Sequence, residues 1–117
     1  MADQTNQRTE FTRYDTDVLA TLTSPSMTFA VRMLSVSAGG ALIRLDRLSS
    51  KIFDEDTFLL EITGVGRYGA NKKWRRDTDI GAKFDLSDVE RLKLASRLSD
   101  RFGGMRNLLG RLAANSP

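Results

Sequence analysis

The sequence predicts a mainly β fold, a small six-stranded antiparallel β-barrel followed by a C-terminal α-helix. Three observations predict it: short apolar runs of alternating pattern fill the chain up to residue 84, turn residues separate them, and helical periodicity begins only after Asp85. Six short strands followed by one helix form a small barrel or a bent sheet with a helical plug. With 117 residues, 40% of them hydrophobic, and two prolines, the chain has the composition of one compact domain.

The first four strands follow from alternation of apolar and polar residues. The run DVLATLT at 17–23 leads through a Ser-Pro-Ser turn at 24–26 into TFAVRML at 28–34, and ALIRL at 41–45 and FLLEITGV at 58–65 supply the third and fourth strands. The apolar face of the first two strands is expected to consist of Val18, Ala20, Leu22, Phe29, Val31 and Met33.

The next stretch, RYGANKKWRR at 67–76, is ambiguous. Its glycines and Asn71 indicate a turn, whereas Lys72–Arg75 can form a strand that runs to Asp77. The run IGAKF at 80–84 then predicts the closing strand.

Ser87 and Glu90 have the spacing of a capping box and predict the start of the C-terminal helix. The pair Gly103-Gly104 predicts a stop or kink, after which MRNLLGRLAA resumes a shorter amphipathic segment. The expected apolar positions of the helix are Val89, Leu92, Leu98 and Phe102, and those of the shorter segment are Met105, Leu108, Leu109 and Leu112. We therefore expect a flexible N-terminal arm at 1–12, the barrel with its helix at 13–102, and a helical extension at 103–117.

Composition excludes several classes of function. The chain has no cysteine and no histidine, so thiol nucleophiles, histidine acid–base chemistry and zinc sites with Cys or His ligands are absent. No apolar run approaches the roughly 20 residues that span a bilayer, and the polar start MADQTNQRTE does not resemble a signal peptide, so we expect a cytoplasmic protein without a membrane span. We expect no enzymatic activity and no metal, and we interpret the acidic run Asp54-Glu55-Asp56 as a solvated turn.

Three features carry both a structural and a functional interpretation. The glycines and serines of SVSAGG at 35–40 suit an ordinary turn, but glycine also lets another molecule approach the backbone. Trp74 is expected to pack on the barrel, with a place beside a ligand as the alternative. The cluster Lys72, Lys73, Arg75 and Arg76 suits a solvated charged edge, with an acidic partner or nucleic acid as the functional alternatives; nothing resembles a DNA-binding motif, and we expect no direct DNA binding.

In their order along the chain, these segments resemble the PilZ domain, a bacterial β-barrel family that binds the second messenger cyclic di-GMP. The family pattern has an RxxxR arm, a D/N-x-S-x-x-G turn between two strands, a Trp-Arg-like step, an I-G-x-x-F strand and a C-terminal helix. The matching segments are FTRYDTDVLATL, SVSAGGALI, WRRDTDIGAKF and DLSDVERLKLASRL, which together cover about residues 8–102.

The resemblance implies a binding site for cyclic di-GMP made by Arg8, Arg13, Ser35, Ser37, Gly39 and Gly40, with Trp74 and Arg75 as further candidates. Arg13, Ser37 and Gly40 match motif positions, whereas Thr9 stands where the family has its first arginine, and Ser35 where it has Asp or Asn. The serine is expected to remove an acceptor that orients a guanine edge or an arginine, and Arg8 is displaced by one residue from the motif.

The resemblance therefore implies a receptor or adaptor that relays cyclic di-GMP levels to an effector protein and needs no cofactor. A degenerate adaptor that binds no nucleotide and acts through protein contacts is the alternative. The sequence leaves the effector and the oligomeric state open.

Overall fold

Six antiparallel strands close into a barrel in the computed structural model of the protein, which describes residues 11–104. Neighbouring strands follow the order β1-β2-β3-β6-β5-β4, and β4 pairs with β1 to complete the ring. The elements are β1 (Tyr14–Thr23), β2 (Thr28–Ser37), β3 (Gly40–Arg44), α1 (Arg47–Ile52), β4 (Thr57–Ile62), β5 (Gly66–Arg76), β6 (Asp79–Phe84), α2 (Asp88–Leu98) and a π-helical turn at Ser99–Gly103. The predicted six-stranded barrel with a C-terminal helix is confirmed.

The core fills the barrel interior with the side chains that alternation predicts. Ala20, Leu22, Val31 and Met33 are buried, whereas Leu19 on the other face of β1 is 67% exposed. Phe53 packs edge to face against Phe29 and Phe58, and α2 adds Leu94 and Leu98 to the same core. Closure of the sheet leaves it without a free edge for pairing with other chains.

The fifth strand is longer than predicted, because RYGANKKWRR is extended throughout and the turn suggested by its glycines is wrong. The chain turns before it, at 63–65, so β4 ends at Ile62 rather than at Val65. Antiparallel pairing with β4 and β6 on both sides holds Gly69 and Asn71 in the sheet, which overrides their turn preference.

The short helix α1 between β3 and β4 was not predicted. Asp46 caps its first turn by accepting a hydrogen bond from the Ser49 amide at 2.7 Å, and this bond lowers the pKa of the Asp46 carboxyl. Arg75 of β5 donates to the Phe53 carbonyl at 2.6 Å and to both the carbonyl and the hydroxyl of Ser50. A six-residue helix is marginal alone, so these bonds fix it on the barrel.

The capping box that starts α2 is confirmed. The Glu90 amide donates to the Ser87 hydroxyl at 3.2 Å, and the Ser87 amide donates to the Glu90 carboxylate at 2.9 Å, which lowers the pKa of Glu90.

The predicted apolar face of α2 is partly wrong. Leu94 and Leu98 are buried four residues apart, but Val89 and Leu92 are each 62% exposed, because they lie on the opposite side of the helix. The predicted stop at the glycine pair is also not seen, since Gly104 keeps helical dihedrals (φ −61°, ψ −39°) after the π-helical turn. The shorter segment predicted at 105–113 lies outside the described residues. Neither described helix is long and apolar enough to cross a membrane.

Two β-bulges change which residues face outward. Pairing between β2 and β3 shifts between Met33 and Ser35, and pairing between β5 and β6 shifts between Lys72 and Trp74. A bulge inserts one residue, so the alternation of faces reverses after it. The bulges therefore place Ser35, Ser37 and Trp74 on the outer face of the barrel.

Candidate functional site

An open groove of about 560 Å³ lies on the outer face of β2, β3, β6 and β5, within the range of small-molecule sites. Backbone of the turn at 38–41 and of β6 forms part of its lining, together with Leu42. The remaining larger side chains and hydroxyl groups that line it are Phe11, Arg13, Ser35, Ser37, Lys73, Trp74 and Lys83.

Strand register sets the width of the groove. Ser35 pairs with Leu42, Leu42 with Gly81, and Gly81 with Trp74, so these four residues form one outward-facing row across four strands. Three inter-strand steps at about 4.8 Å separate the ends of this row by about 14 Å. Ser35 and Trp74 therefore mark opposite ends of one continuous surface.

Arg13 bridges the two motif serines at one end of the groove. Its guanidinium donates to the Ser35 hydroxyl at 2.9 Å and to the Ser37 hydroxyl at 3.4 Å. Ser35 thus keeps an acceptor for this arginine, contrary to the expectation that replacing Asp or Asn removes it. A guanidinium has five donors, so three remain for a ligand.

The turn at 37–40 is held mainly by the barrel itself. The Ser37 hydroxyl accepts from the Gly39 amide at 3.1 Å, and the Gly39 carbonyl accepts from the Phe84 amide at 3.0 Å. A Cβ on Gly40 would overlap the Ala82 carbonyl oxygen and lie 3.2 Å from the Lys83 Cα. Close approach of β6, rather than of another molecule, therefore requires Gly40, and neither Gly39 nor Gly40 adopts a positive φ.

Trp74 packs on the outside of the barrel, and its side chain is also part of the groove wall. The indole lies over Gly81 on the neighbouring strand, and Trp74 remains 48% exposed. Both interpretations of this residue thus apply: it packs on the barrel, and it stands where a ligand in the groove would meet an aromatic face.

The basic stretch of β5 divides into side chains with different partners. Lys73 lines the groove, whereas the Lys72 ammonium lies 3.3 Å from the Asp56 carboxylate. Arg75 does not line the groove, because its guanidinium is bonded to the carbonyls that follow α1. Arg13, Lys73 and Lys83 make the groove positive, and no acidic side chain of residues 11–104 lines it.

The acidic run at 54–56 is engaged by neighbouring chain segments. Glu55 accepts from the Ser26 hydroxyl at 2.7 Å, and Asp56 pairs with Lys72. Within the part of the chain that the structure describes, no three acidic side chains gather as metal ligands would.

Arg8 and Thr9 lie outside the described residues, so their place relative to the groove stays a prediction. Phe11, Lys83 and Gly81 were not predicted as site residues. A two-residue turn at Asp77-Thr78 fixes the register of β5 and β6, and alternation along IGAKF then predicts that Gly81 and Lys83 share the outer face.

The segment that carries Arg13 also contacts the C-terminal helix. Phe11 lines both the groove and a smaller cavity against α2, where Ala95, Ser96 and Ser99 form the other wall. The Tyr14 ring lies 6.3 Å from the Phe102 ring in the π-helical turn. Residues 11–14 thus connect the groove with the end of α2.

Comparison with known proteins gives structural matches only. No family model matches the sequence, and no curated protein sequence matches it. The PilZ domain with c-di-GMP of YcgR from Escherichia coli superimposes with a TM-score of 0.61 at 13% identity, covering 94% of this chain and 100% of that one. An uncharacterized Legionella protein superimposes with a TM-score of 0.54 at 17% identity, covering 77% of this chain and 96% of that one. The chain therefore has the fold of a PilZ domain.

Proposed function

We propose that this protein is a cyclic di-GMP receptor without catalytic activity, and that it relays nucleotide binding to an effector protein. The observation that carries the proposal is the groove, where Arg13 is held by Ser35 and Ser37 opposite Trp74. The fold supports it, because a PilZ domain of the same fold was solved with c-di-GMP.

The chemistry of the groove suits a cyclic dinucleotide. Such a ligand presents two phosphate anions and two planar guanine bases. Arg13, Lys73 and Lys83 supply cations for the phosphates, and the exposed indole of Trp74 supplies a face on which a base can stack. The absence of acids from the described lining leaves this positive potential uncompensated.

The relay would pass through the arm. Arg13 must share its donors between the serines and a phosphate, and Phe11 and Tyr14 on the same segment touch the α2 side of the molecule. Reordering of this segment would change the surface offered by the end of α2. An effector that contacts this surface would then sense whether the groove is filled.

The adaptor that needs no nucleotide is the second candidate. Val89 and Leu92 are each 62% exposed on the solvent side of α2, and exposed apolar pairs of this kind are found in protein interfaces. In that case Arg13 would serve only to tie the arm to the serines.

Calorimetric titration of the purified protein with cyclic di-GMP separates the two candidates. A saturable 1:1 or 1:2 isotherm with cyclic di-GMP, together with much weaker binding of cyclic di-AMP and GMP, is expected for the receptor. No heat of binding up to millimolar cyclic di-GMP would refute the receptor and leave the adaptor.

A further inference from the structure

A glycine in the floor of the groove makes room for the indole ring. A Cβ on Gly81 would overlap Nε1 and Cε2 of Trp74 and lie 2.7 Å from Cζ2. These are rigid ring atoms, so alanine at this position could be accommodated only if the whole indole moved. An aromatic side chain packed over a glycine on the adjacent strand is a known stabilising pair in sheets.

From this contact we infer that Gly81 is a positioning residue, which sets the place of the Trp74 indole and with it the shape of the groove at the end opposite Arg13. The bulge at Lys73 turns Trp74 outward, and Gly81 then lets the ring lie close to the sheet instead of standing away from it. For ligand recognition the inference depends on the proposed function; for the conformation of the indole it does not.

The geometric consequence concerns base stacking. Gly81 and Leu42 separate Trp74 from Ser35 in the outward-facing row, so any displacement of the ring changes the space left for a base along that row. Base–aromatic stacking depends on offset and ring separation. Gly81 thus acts on the ligand through Trp74, without needing to contact it.

The test compares Gly81→Ala with a matched control, Gly69→Ala. Gly69 also lies in a strand of the barrel, and a Cβ there would meet nothing within 4 Å. Trp74 is the sole tryptophan of the chain, so its emission reports on the indole directly. We expect Gly81→Ala to shift the emission to longer wavelength, increase acrylamide quenching and weaken cyclic di-GMP binding by about tenfold. Gly69→Ala should match the parent in all three measurements.

A double-mutant cycle with Trp74→Ala provides a second readout. Gly81→Ala is expected to lower the melting temperature by about 5 °C when Trp74 is present, and by nothing when it is absent, because the obstructing ring is gone. If Gly81→Ala alone fails to fold, recovery in the double variant supports the inference, and failure of the double variant to fold overturns it.

The outcomes also separate the positioning role from the ligand. Unchanged emission and quenching in Gly81→Ala would overturn the positioning of Trp74 by Gly81. Altered emission with unchanged nucleotide affinity would overturn the role of the indole in recognition. If the parent protein binds no cyclic di-GMP, the proposed function fails, while the fluorescence and the cycle still decide whether Gly81 positions the ring.

Discussion

Replacing Arg13 with alanine should weaken cyclic di-GMP binding far more than it weakens the fold. Arg13 is exposed, and its guanidinium bonds two hydroxyl groups at the rim of the groove, outside the apolar core. Without it, water can enter the groove and hydrate the Ser35 and Ser37 hydroxyls. The free energy of unfolding is therefore expected to fall by less than about 1 kcal/mol.

The expected loss of affinity follows from the charge of the bonds that disappear. A hydrogen bond to a charged group contributes about 1.5–3 kcal/mol, so one lost Arg13–phosphate contact raises the dissociation constant roughly 10- to 150-fold. Arg13→Lys keeps the charge but has no planar fork to bridge Ser35 and Ser37, and it should fall between alanine and the parent.

Calorimetry and thermal melting on the same samples measure both effects. The matched control is Arg67→Ala, which also removes one exposed arginine, but from the β4–β5 side, where Arg67 pairs with Glu61 at 3.6 Å. Equal affinity of Arg13→Ala and Arg67→Ala would show that the groove at Arg13 is not the nucleotide site. A large fall in stability for Arg13→Ala would show instead that the arm belongs to the folded core.

Three further changes test other parts of the site and the fold. Thr9→Arg with Ser35→Asp restores the family pattern, and each restored contact should tighten cyclic di-GMP binding by about 1–3 kcal/mol in calorimetry; unchanged affinity would mean that these departures do not limit binding. Arg75→Met removes the bonds to the carbonyls after α1, and should lower unfolding stability by about 2 kcal/mol and the melting temperature by about 8 °C with nucleotide affinity intact; weaker binding without a stability loss would return Arg75 to the site. Truncation after Gly104 removes a segment whose leucines share one helical face, and should leave a folded barrel with reduced self-association or effector binding in sedimentation and pull-down assays; an unfolded product would place that segment in the core.

The strands and the start of α2 could be predicted because their signals are local. Alternation identified the buried side of β1 and β2, and the Ser87–Glu90 spacing located the helix start. The face of α2 could not be predicted in the same way. Val89 and Leu92 are as apolar as Leu94, and only contact with the barrel decides which side of the helix is buried.

Long-range pairing explains the other errors. The stretch at 66–76 has turn-forming residues, yet two neighbouring strands hold it extended along its whole length. The role of Arg75 was equally invisible, because its acceptors, the carbonyls of Ser50 and Phe53, are 25 and 22 residues away in sequence. A cluster of basic residues thus contains both a structural clamp and a groove residue, Lys73, and composition cannot tell them apart.

The two bulges explain why the site was only partly predictable. Regular alternation from Met33 would point Ser35 and Ser37 inward, but Val36 is fully buried, three residues after Met33. This odd spacing of two buried apolar residues is a local signal of the bulge in β2. No such signal exists in β5, because the residues after the bulge at Lys73 are Trp74, Arg75 and Arg76, none of which is buried. Ser35 and Ser37 could therefore be assigned to the outer face from sequence, whereas the outward turn of Trp74 depends on its pairing with Gly81 and required the structure.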